Sequence, residues 1–330
     1  MKVLFCSVGR RAKLLQNFKD FNSNVELLAT DCSPYAPALY SADRQFISPR
    51  IDDSTYLSYI LNLCKDNKVQ AITTLIDPEI EILANNRNLF IENGVLPLCP
   101  SSETAQLCFD KFKMYEFLVA NDISTVLTYD SLESFKIGLE NKKVSFPVFI
   151  KPRTGSASFG AEKIQDLKQL ESQISKHEKN YFIIQELMGG DDIDVDVYVD
   201  CISRKAVSAF SKKKIETKIG GASKTISFKD QALFETIQRI VPKFSFYGPI
   251  DIDFFYKDGT YFLSEINPRF GGAYVHAYGA GVNFYELIQN NVNNIENVER
   301  FGAYDEDVIM MMYDDVVIIN ASELVEPAKV

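Results

Sequence analysis

Between Pro249 and Gly272 the chain reads PIDIDFFYKDGTYFLSEINPRFGG, with Asp251 and Asp253 two residues apart and Glu265, Asn267 and Arg269 at the same spacing. Successive strand residues point to opposite faces, so a spacing of two gathers side chains on one face. Three acidic groups and an amide oxygen crowded there repel one another unless a cation sits among them. Oxygen-only donors suit Mg²⁺, which takes one or two carboxylates and fills its octahedron with water and nucleotide phosphates. Arg269 would be a fixed donor for a phosphate or a developing negative charge. The competing reading is a solvated hairpin face in which Asn267-Pro268 only makes a turn.

The loop between the two runs decides which residues share a face. A two-residue Asp258-Gly259 turn pairs Lys257 with Thr260 and sends Asp253 and Glu265 to opposite faces. A three-residue loop, Lys257 to Gly259 with Gly259 at positive φ, pairs Tyr256 with Thr260 instead. Asp251, Asp253, Glu265 and Asn267 then share one face, and Ile250, Ile252, Phe254, Phe262 and Ile266 form the apolar other. The expectation is the odd-length loop.

Upstream, FPVFIKPRTGSASFGA from Phe146 to Ala161 is a strand ending in Lys151, followed by a small-residue loop bounded by Gly155 and Gly160. Backbone amides in such a loop approach phosphates closely, and Lys151 supplies charge. A P-loop would need its Lys after the glycines. Tyr181 to Gln185 reads as a strand and Glu186 to Gly190 as a hinge, where a carboxylate can accept from an adenine amino group and a later one, Asp192, can hold ribose hydroxyls. The alternating acids that follow, Asp194, Asp196 and Asp200, read as the wet face of an antiparallel strand.

Weaker signals surround these. Arg10 and Arg11 open a helix and could hold a substrate carboxylate. Asp77-Pro78-Glu79 reads either as a helix cap with acids at the positive end of the dipole or as an amine site. The run from Lys212 to Lys224 is basic for so acidic a chain and faces either an anionic substrate or solvent. His276 either touches substrate or is a satisfied structural histidine.

The elements that must position these groups follow from periodicity. Strands at Lys2–Val8, Val25–Thr30, Ala71–Ile76 and Val95–Cys99 alternate with helices at Arg10–Phe21, Ser54–Asp66 and Glu79–Glu92, which implies a parallel sheet with helices on its faces. A helix from Ala105 to Ala120 follows. Ligands in open sheets sit beyond the carboxyl ends of the strands, which here means Ser7–Arg11, Asp31–Ser33 and Asp77–Glu81. The 330 residues allow roughly two or three domains. A net charge of −10 argues against nucleic acid or an anionic membrane as partner. The six cysteines show no CxxC pairing, and no stretch approaches the roughly 18 apolar residues of a membrane span, so the expected location is the cytoplasm. One glycine stands in Ser7-Val8-Gly9-Arg10-Arg11 where a dinucleotide loop needs three, which disfavours an oxidoreductase.

Lys151, the Gly155–Gly160 loop, Gln185-Glu186, Asp192, Asp253 and the Glu265-x-Asn267-Pro268-Arg269 motif stand in the order and approximate spacing of the ATP-grasp superfamily. The chain resembles its carbamoyl-phosphate-synthase-like branch over nearly its whole length. The resemblance implies a mixed α/β and α+β fold: a Rossmann-like pre-ATP-grasp domain over 1–102, then a two-subdomain ATP-grasp fold over 103–330 with a nucleotide lid at about 115–187. It implies that Lys111 and Lys151 contact phosphates, that Gly155, Ser156, Ser158 and Gly160 belong to the lid, and that Gln185, Glu186 and Leu187 form the adenine hinge with Asp192 on the ribose. Asp253, Glu265 and Asn267 would hold two Mg²⁺ ions, with Mn²⁺ as a substitute, and Arg269 and Lys151 would stabilise the transferred phosphoryl group. Asp253 stands where relatives use Glu, Gln or Asp, and Asp192 replaces a more usual Glu with a shorter reach. The implied activity is ATP-dependent joining of a small-molecule carboxylate to an amine through an acyl phosphate, on a scaffold that allows a homodimer. A phosphotransferase or carboxylating enzyme on the same scaffold, or a non-catalytic nucleotide-binding regulator, is the alternative.

Overall fold

In the computed structural model, residues 1–22, 24–155, 160–178, 180–218 and 221–326 are described. The N-terminal unit runs Lys2–Cys6 (β1), Ala12–Phe21 (α1), Glu26–Asp31 (β2), Arg44–Ile47 (β3), Tyr56–Asn67 (α2), Ala71–Thr74 (β4), Asp77–Asn85 (α3), Arg87–Glu92 (α4) and Leu96–Pro97 (β5). Its five strands are all parallel in the order β3-β2-β1-β4-β5. Their near-continuous burial, with Val3, Leu4, Phe5 and Cys6 fully buried, is what a sheet covered on both faces demands. Most element ends shift by a residue or two from periodicity, and two differences are larger. β3 was not anticipated, and the helix expected over Glu79–Glu92 breaks at Asn86, whose side chain donates to Ile82 O at 2.8 Å.

The helix expected over Ala105–Ala120 also divides, into Ser102–Phe109 (α5) and Lys111–Ala120 (α6). Asp110 is extended and caps α6, accepting from Phe112 N and Lys113 N at 3.1 Å each. A side-chain acceptor three residues before an apolar helical run outcompetes helix continuation.

Next come Thr128–Tyr129 (β6), Leu132–Glu140 (α7), Val148–Pro152 (β7), Glu162–Ile164 (β8), Leu167–Ile174 (α8) and Phe182–Glu186 (β9). They form an antiparallel sheet, order β6-β9-β7-β8, with its own core around Phe135, Val148, Ile150, Leu170 and Ile184. The remainder comprises Asp191–Val199 (β10), Ala206–Lys218 (β11), Gly221–Phe228 (β12), Gln231–Ile240 (α9), Gly248–Lys257 (β13), Thr260–Asn267 (β14), Tyr274–Gly279 (α10), Phe284–Val292 (α11) and Ile309–Met311 (β15). Its six strands are ordered β14-β13-β10-β11-β12-β15. One continuous core joins this sheet to the N-terminal unit: Phe5 meets Phe270 and Phe18 meets Tyr285. No helix among the described residues is long and apolar enough to cross a membrane.

The β13–β14 hairpin corrects the odd-length loop. Lys257 pairs with Thr260 across a two-residue turn, with φ of 50° at Asp258 and 79° at Gly259. Positive φ at both central residues gives the turn whose twist matches paired strands, and Asp-Gly is a sequence that adopts it. Parity is restored further up: Phe254 pairs with Leu263 but Asp253 with Glu265, leaving Ser264 as an extra residue in a bulge. The acids therefore share a face as expected, while Leu263 rather than Phe262 enters the core with Ile250, Ile252, Phe254 and Ile266.

Candidate active site

Register gathers the acids of three strands into rows. Asp253 of β13 pairs with Glu265 of β14 on one side and with Asp194 of β10 on the other, and Asp194 pairs in turn with Lys212 of β11. One step along, Asn267, Asp251 and Asp196 make a second row. Asp194 and Asp196 are buried, and so is Asp200 further along β10, so none of them forms the wet face that alternation implied. The turn after β14 lies over Asp196 and Asp251: a Cβ on Gly271 would stand 2.5 Å from Asp196 Oδ1 and 2.8 Å from Asp251 Oδ1. Asp200 is held separately, by Asn291 and Asn297.

So many buried carboxylates require compensation. Lys212, fully buried, places Nζ 2.7 Å from Asp194 Oδ1 and also bonds Asp196. The oxygens of Asp194, Asp196 and Asp251 lie within 4.8 Å of one another, so the cation within this trio is the protein's own ammonium. Burial and the neighbouring Asp194 and Asp253 push Asp251 well above the usual carboxylate range, while Lys212 holds Asp194 below it against the effect of burial. Burial raises Asp253 to about 6 although Lys214 opposes the shift.

The donor set on the outer side of these rows fits a hard divalent cation. Glu265 accepts no hydrogen bond from the described residues, and Lys111 Nζ is 3.8 Å from its Oε1. Asn267 directs Nδ2 at Asp251 Oδ2 at 3.5 Å, and its amide oxygen accepts no hydrogen bond from the described residues on the face it shares with Glu265. All of these donors are oxygens, as Mg²⁺ prefers.

This face forms one wall of a cleft of about 650 Å³ between the two antiparallel sheets. Lys111, Lys151, Gly155, Gln185, Glu186, Leu187, Asp192, Asp253 and Glu265 all line it, with Val126, Phe149 and Met188 as apolar surface. Burial lowers the Lys151 pKa, offset in part by Glu265. Lys111 donates to Gly155 O at 2.6 Å, and Arg153 grips Asp110 at 2.8 and 2.9 Å, so the α6 cap is tied to the end of β7. Two hinge side chains are already engaged: Gln185 donates to Thr128 Oγ1 and Glu186 accepts from Leu127 N. Gly160 borders the loop whose Ser156 and Ser158 lie outside the described residues. A second cavity of about 110 Å³ adjoins Glu265 and Asn267 and is walled by Asp77, Pro78, Ile80, Ala105, Cys108 and Phe109.

The remaining expected residues divide. Arg269, expected as an open phosphate donor, aims Nε and Nη2 at the two Asp77 oxygens, 2.6 and 3.1 Å away. Asp77 in turn makes no cap bond to α3. Arg11 is drawn to the same place, donating to Gly271 O at 2.9 Å, and burial and Arg269 lower its pKa to about 10. Neither Arg269, Arg11 nor the buried Lys212 lines the cleft, and four more expected residues lie away from it. Arg10 is exposed near Asp314, and Lys224 pairs with Glu216 on the surface. Glu79 is buried against Tyr56 and Thr74. His276 is satisfied by Thr225 Oγ1 and Val308 O at 2.7 and 3.0 Å. Within the basic run from Lys212 to Lys224, sequence reasoning does not single out Lys214, which lines the cleft with Nζ 2.9 Å from Asp192 and 2.6 Å from Asp253. Its signal was available: strand parity places Lys212 and Lys214 on one face of β11, opposite the β10 acids.

Comparison with protein families matches residues 108–273 to the ATP-grasp domain. The chain belongs to the ATP-grasp family. Residues 3–98 match the PylC-like N-terminal domain. A formate-dependent phosphoribosylglycinamide formyltransferase of Haloquadratum walsbyi is 23% identical over 262 residues, covering 74% of this chain and 62% of the relative. The carbamoyl phosphate synthase large chain of a Thermoanaerobacter species is 23% identical over 269 residues, covering 75% of this chain and 23% of the relative. This ATP-grasp chain thus spans under two thirds of the length of either. Among solved structures, N5-carboxyaminoimidazole synthetase from Staphylococcus aureus in complex with ADP superposes with a TM-score of 0.72 at 17% identity, over 90% of this chain and 78% of that one. At that identity the likeness is one of fold, and it covers the N-terminal unit and both antiparallel sheets together.

Proposed function

We propose that this protein is an ATP-dependent carboxylate–amine ligase. The observation that carries the reading is the cleft: Lys151, the Glu186-Leu187 hinge, Asp253 and Glu265 converge on one space large enough for a nucleotide, and Asn267 stands two residues beyond Glu265 on the same strand face. The formate and phosphoribosylglycinamide in the name of one relative, a carboxylate and an amine, agree with it.

A carboxylate is unreactive toward amines at neutral pH. Its oxygen first attacks the γ-phosphorus of ATP, the bond from that phosphorus to the β-bridging oxygen breaks, and ADP leaves an acyl phosphate. The amine then adds to the acyl carbon, loses a proton to solvent or a nearby carboxylate, and expels phosphate to give the amide. Lys151 and Lys111 hold the phosphate chain by charge, the apolar walls and the hinge backbone hold the base, and Asp192 is placed for the ribose. Asp253, Glu265 and Asn267 are the residues that would hold Mg²⁺, two ions with Mn²⁺ as a substitute, which when bound screens the charge that develops on the phosphoryl oxygens. The sheet 128–186, built on its own core, is the lid subdomain that closes on the cleft and excludes water. Arg269 acts through Asp77 by fixing the Asn267–Arg269 turn to the N-terminal unit. The cavity beside Glu265 receives the second substrate. The working unit is a monomer or homodimer acting on small molecules, not on nucleic acid.

The test is ADP release with Mg²⁺ and pooled amino acids and other carboxylates and amines, followed by mass spectrometry of the product. A condensation product with stoichiometric ADP is expected, and EDTA should abolish it. Glu265→Ala should lower turnover by at least about 100-fold while the melting temperature moves by less than about 2 °C, because a half-exposed carboxylate contributes little to folding. ATP binding with no substrate-stimulated turnover would refute the ligase reading in favour of a regulator.

A further inference from the structure

The proposed roles of Asp192 and Asp253 meet at one side chain that neither the motifs nor the comparisons assign. Lys214 leaves the wet end of β11 and turns into the cleft, where its largely sheltered ammonium lies 2.9 Å from Asp192 Oδ1 and 2.6 Å from Asp253 Oδ1. It is distinct from Lys212, two residues earlier on the same face, which is fully buried among Asp194 and Asp196 and lines neither cavity. Asp253 is also the carboxylate paired with Glu265 across the hairpin, so the ammonium occupies an oxygen of the expected metal-ligand set.

We infer that Lys214 and the divalent ion are alternative cations for Asp253, and that Lys214 thereby couples the metal position to nucleotide binding. The inference rests on the ATP-ligase reading. An ion on either oxygen of Asp253 would stand beside the ammonium, and like charges repel strongly where the surroundings are poorly polarisable. Removing Lys214 from Asp253 by itself leaves an ammonium partnered only by Asp192. When Asp192 accepts ribose hydroxyls as well, Lys214 gives up both partners, and the phosphate chain is the anion that the nucleotide brings into the cleft to receive it. Metal alone therefore competes with Lys214, whereas metal with nucleotide supplies Lys214 with a replacement partner. By linkage, the factor by which ADP strengthens metal binding equals the factor by which metal strengthens ADP binding, and Lys214 contributes to both.

The experiment is Mn²⁺ titration followed by electron paramagnetic resonance of free Mn²⁺, with and without ADP, corrected for the Mn²⁺–ADP complex in solution. Lys214→Met removes the competing cation and keeps both carboxylates. It should bind Mn²⁺ alone about tenfold more tightly than the parent and show a correspondingly smaller enhancement by ADP, a change typical of coupled sites. Lys214→Arg keeps the charge and should stay within about twofold of the parent. Should Lys214→Met fail to fold, Lys214→Gln carries the same expectation. Lys214→Met binding Mn²⁺ alone no more tightly than the parent, or Lys214→Arg behaving like Lys214→Met, overturns the inference. If the parent binds no Mn²⁺–ADP at all, it is the ATP-ligase reading that fails.

Discussion

Asp77 and Arg269 stand 192 residues apart and join the N-terminal unit to the end of β14 through two short N–H···O contacts of 2.6 and 3.1 Å. Both side chains are largely sheltered, with 17% and 12% exposure. Removing one member of a buried pair leaves the other charge uncompensated, at a cost of about 3–5 kcal/mol; the residual exposure favours the lower end. Asp77→Ala should therefore destabilise by about 3 kcal/mol. With an unfolding entropy of about 2.1 cal/mol/K per residue over 330 residues, that corresponds to a melting temperature about 4 °C lower. Arg269→Ala should cost a similar amount, since it orphans Asp77 and releases the Phe270 carbonyl that Nη1 satisfies at 3.0 Å. The double variant should cost little more than either single, so the cycle should return a coupling energy of about 2 kcal/mol. Urea unfolding of the four proteins measures it. Additive single effects, with coupling below about 0.5 kcal/mol, would refute the claim that this contact, and not each residue's separate surroundings, ties the units together.

Two further outcomes follow from buried groups. Burial lowers the pKa of His276 to about 4 from its ordinary 6.5, so between these values the unfolded chain binds a proton that the folded chain refuses. Its contribution is fully present above pH 6.5 and is lost as pH falls toward 4, about 3 kcal/mol in all; the difference in stability between the parent and His276→Gln, measured by urea unfolding from pH 4 to 7, should rise with pH, and a pH-independent difference would contradict it. Gly190 has φ of +100°, and a Cβ there would lie 2.2 Å from Tyr256 O. Gly190→Ala should destabilise by at least about 2 kcal/mol because backbone must shift as well as strain, and a change within about 0.5 kcal/mol would show that the hinge gives way freely.

The hairpin around Glu265 shows which parts of this molecule could be read from residues alone. Alternation identified the strands, and the demand that acids share a face was physically sound. The device that meets the demand was legible only in part, because an odd loop and an even loop with a bulge satisfy parity equally. Asp258-Gly259 favours the even turn for its local twist, and the accommodation then falls on Ser264, where nothing in its side chain announces a bulge. The β10 acids failed for a different reason. Burial of Asp196 depends on the Gly271 turn folding over it, and both Asp194 and Asp196 depend on Lys212 from a neighbouring strand, all non-local facts. Once β10, β11 and β13 are taken as neighbours, the charges account for themselves: alternating acids on two adjacent strands cannot share a sheltered face without cations, and the lysines two apart on β11 are placed to supply them. Lys212 is enclosed and fixed, whereas Lys214 stands at the open edge between Asp192 and Asp253. Of the two ammonium groups, the one bordering the cleft is the one a nucleotide can reach, which is why the structural and the exchangeable lysine differ by a single strand repeat.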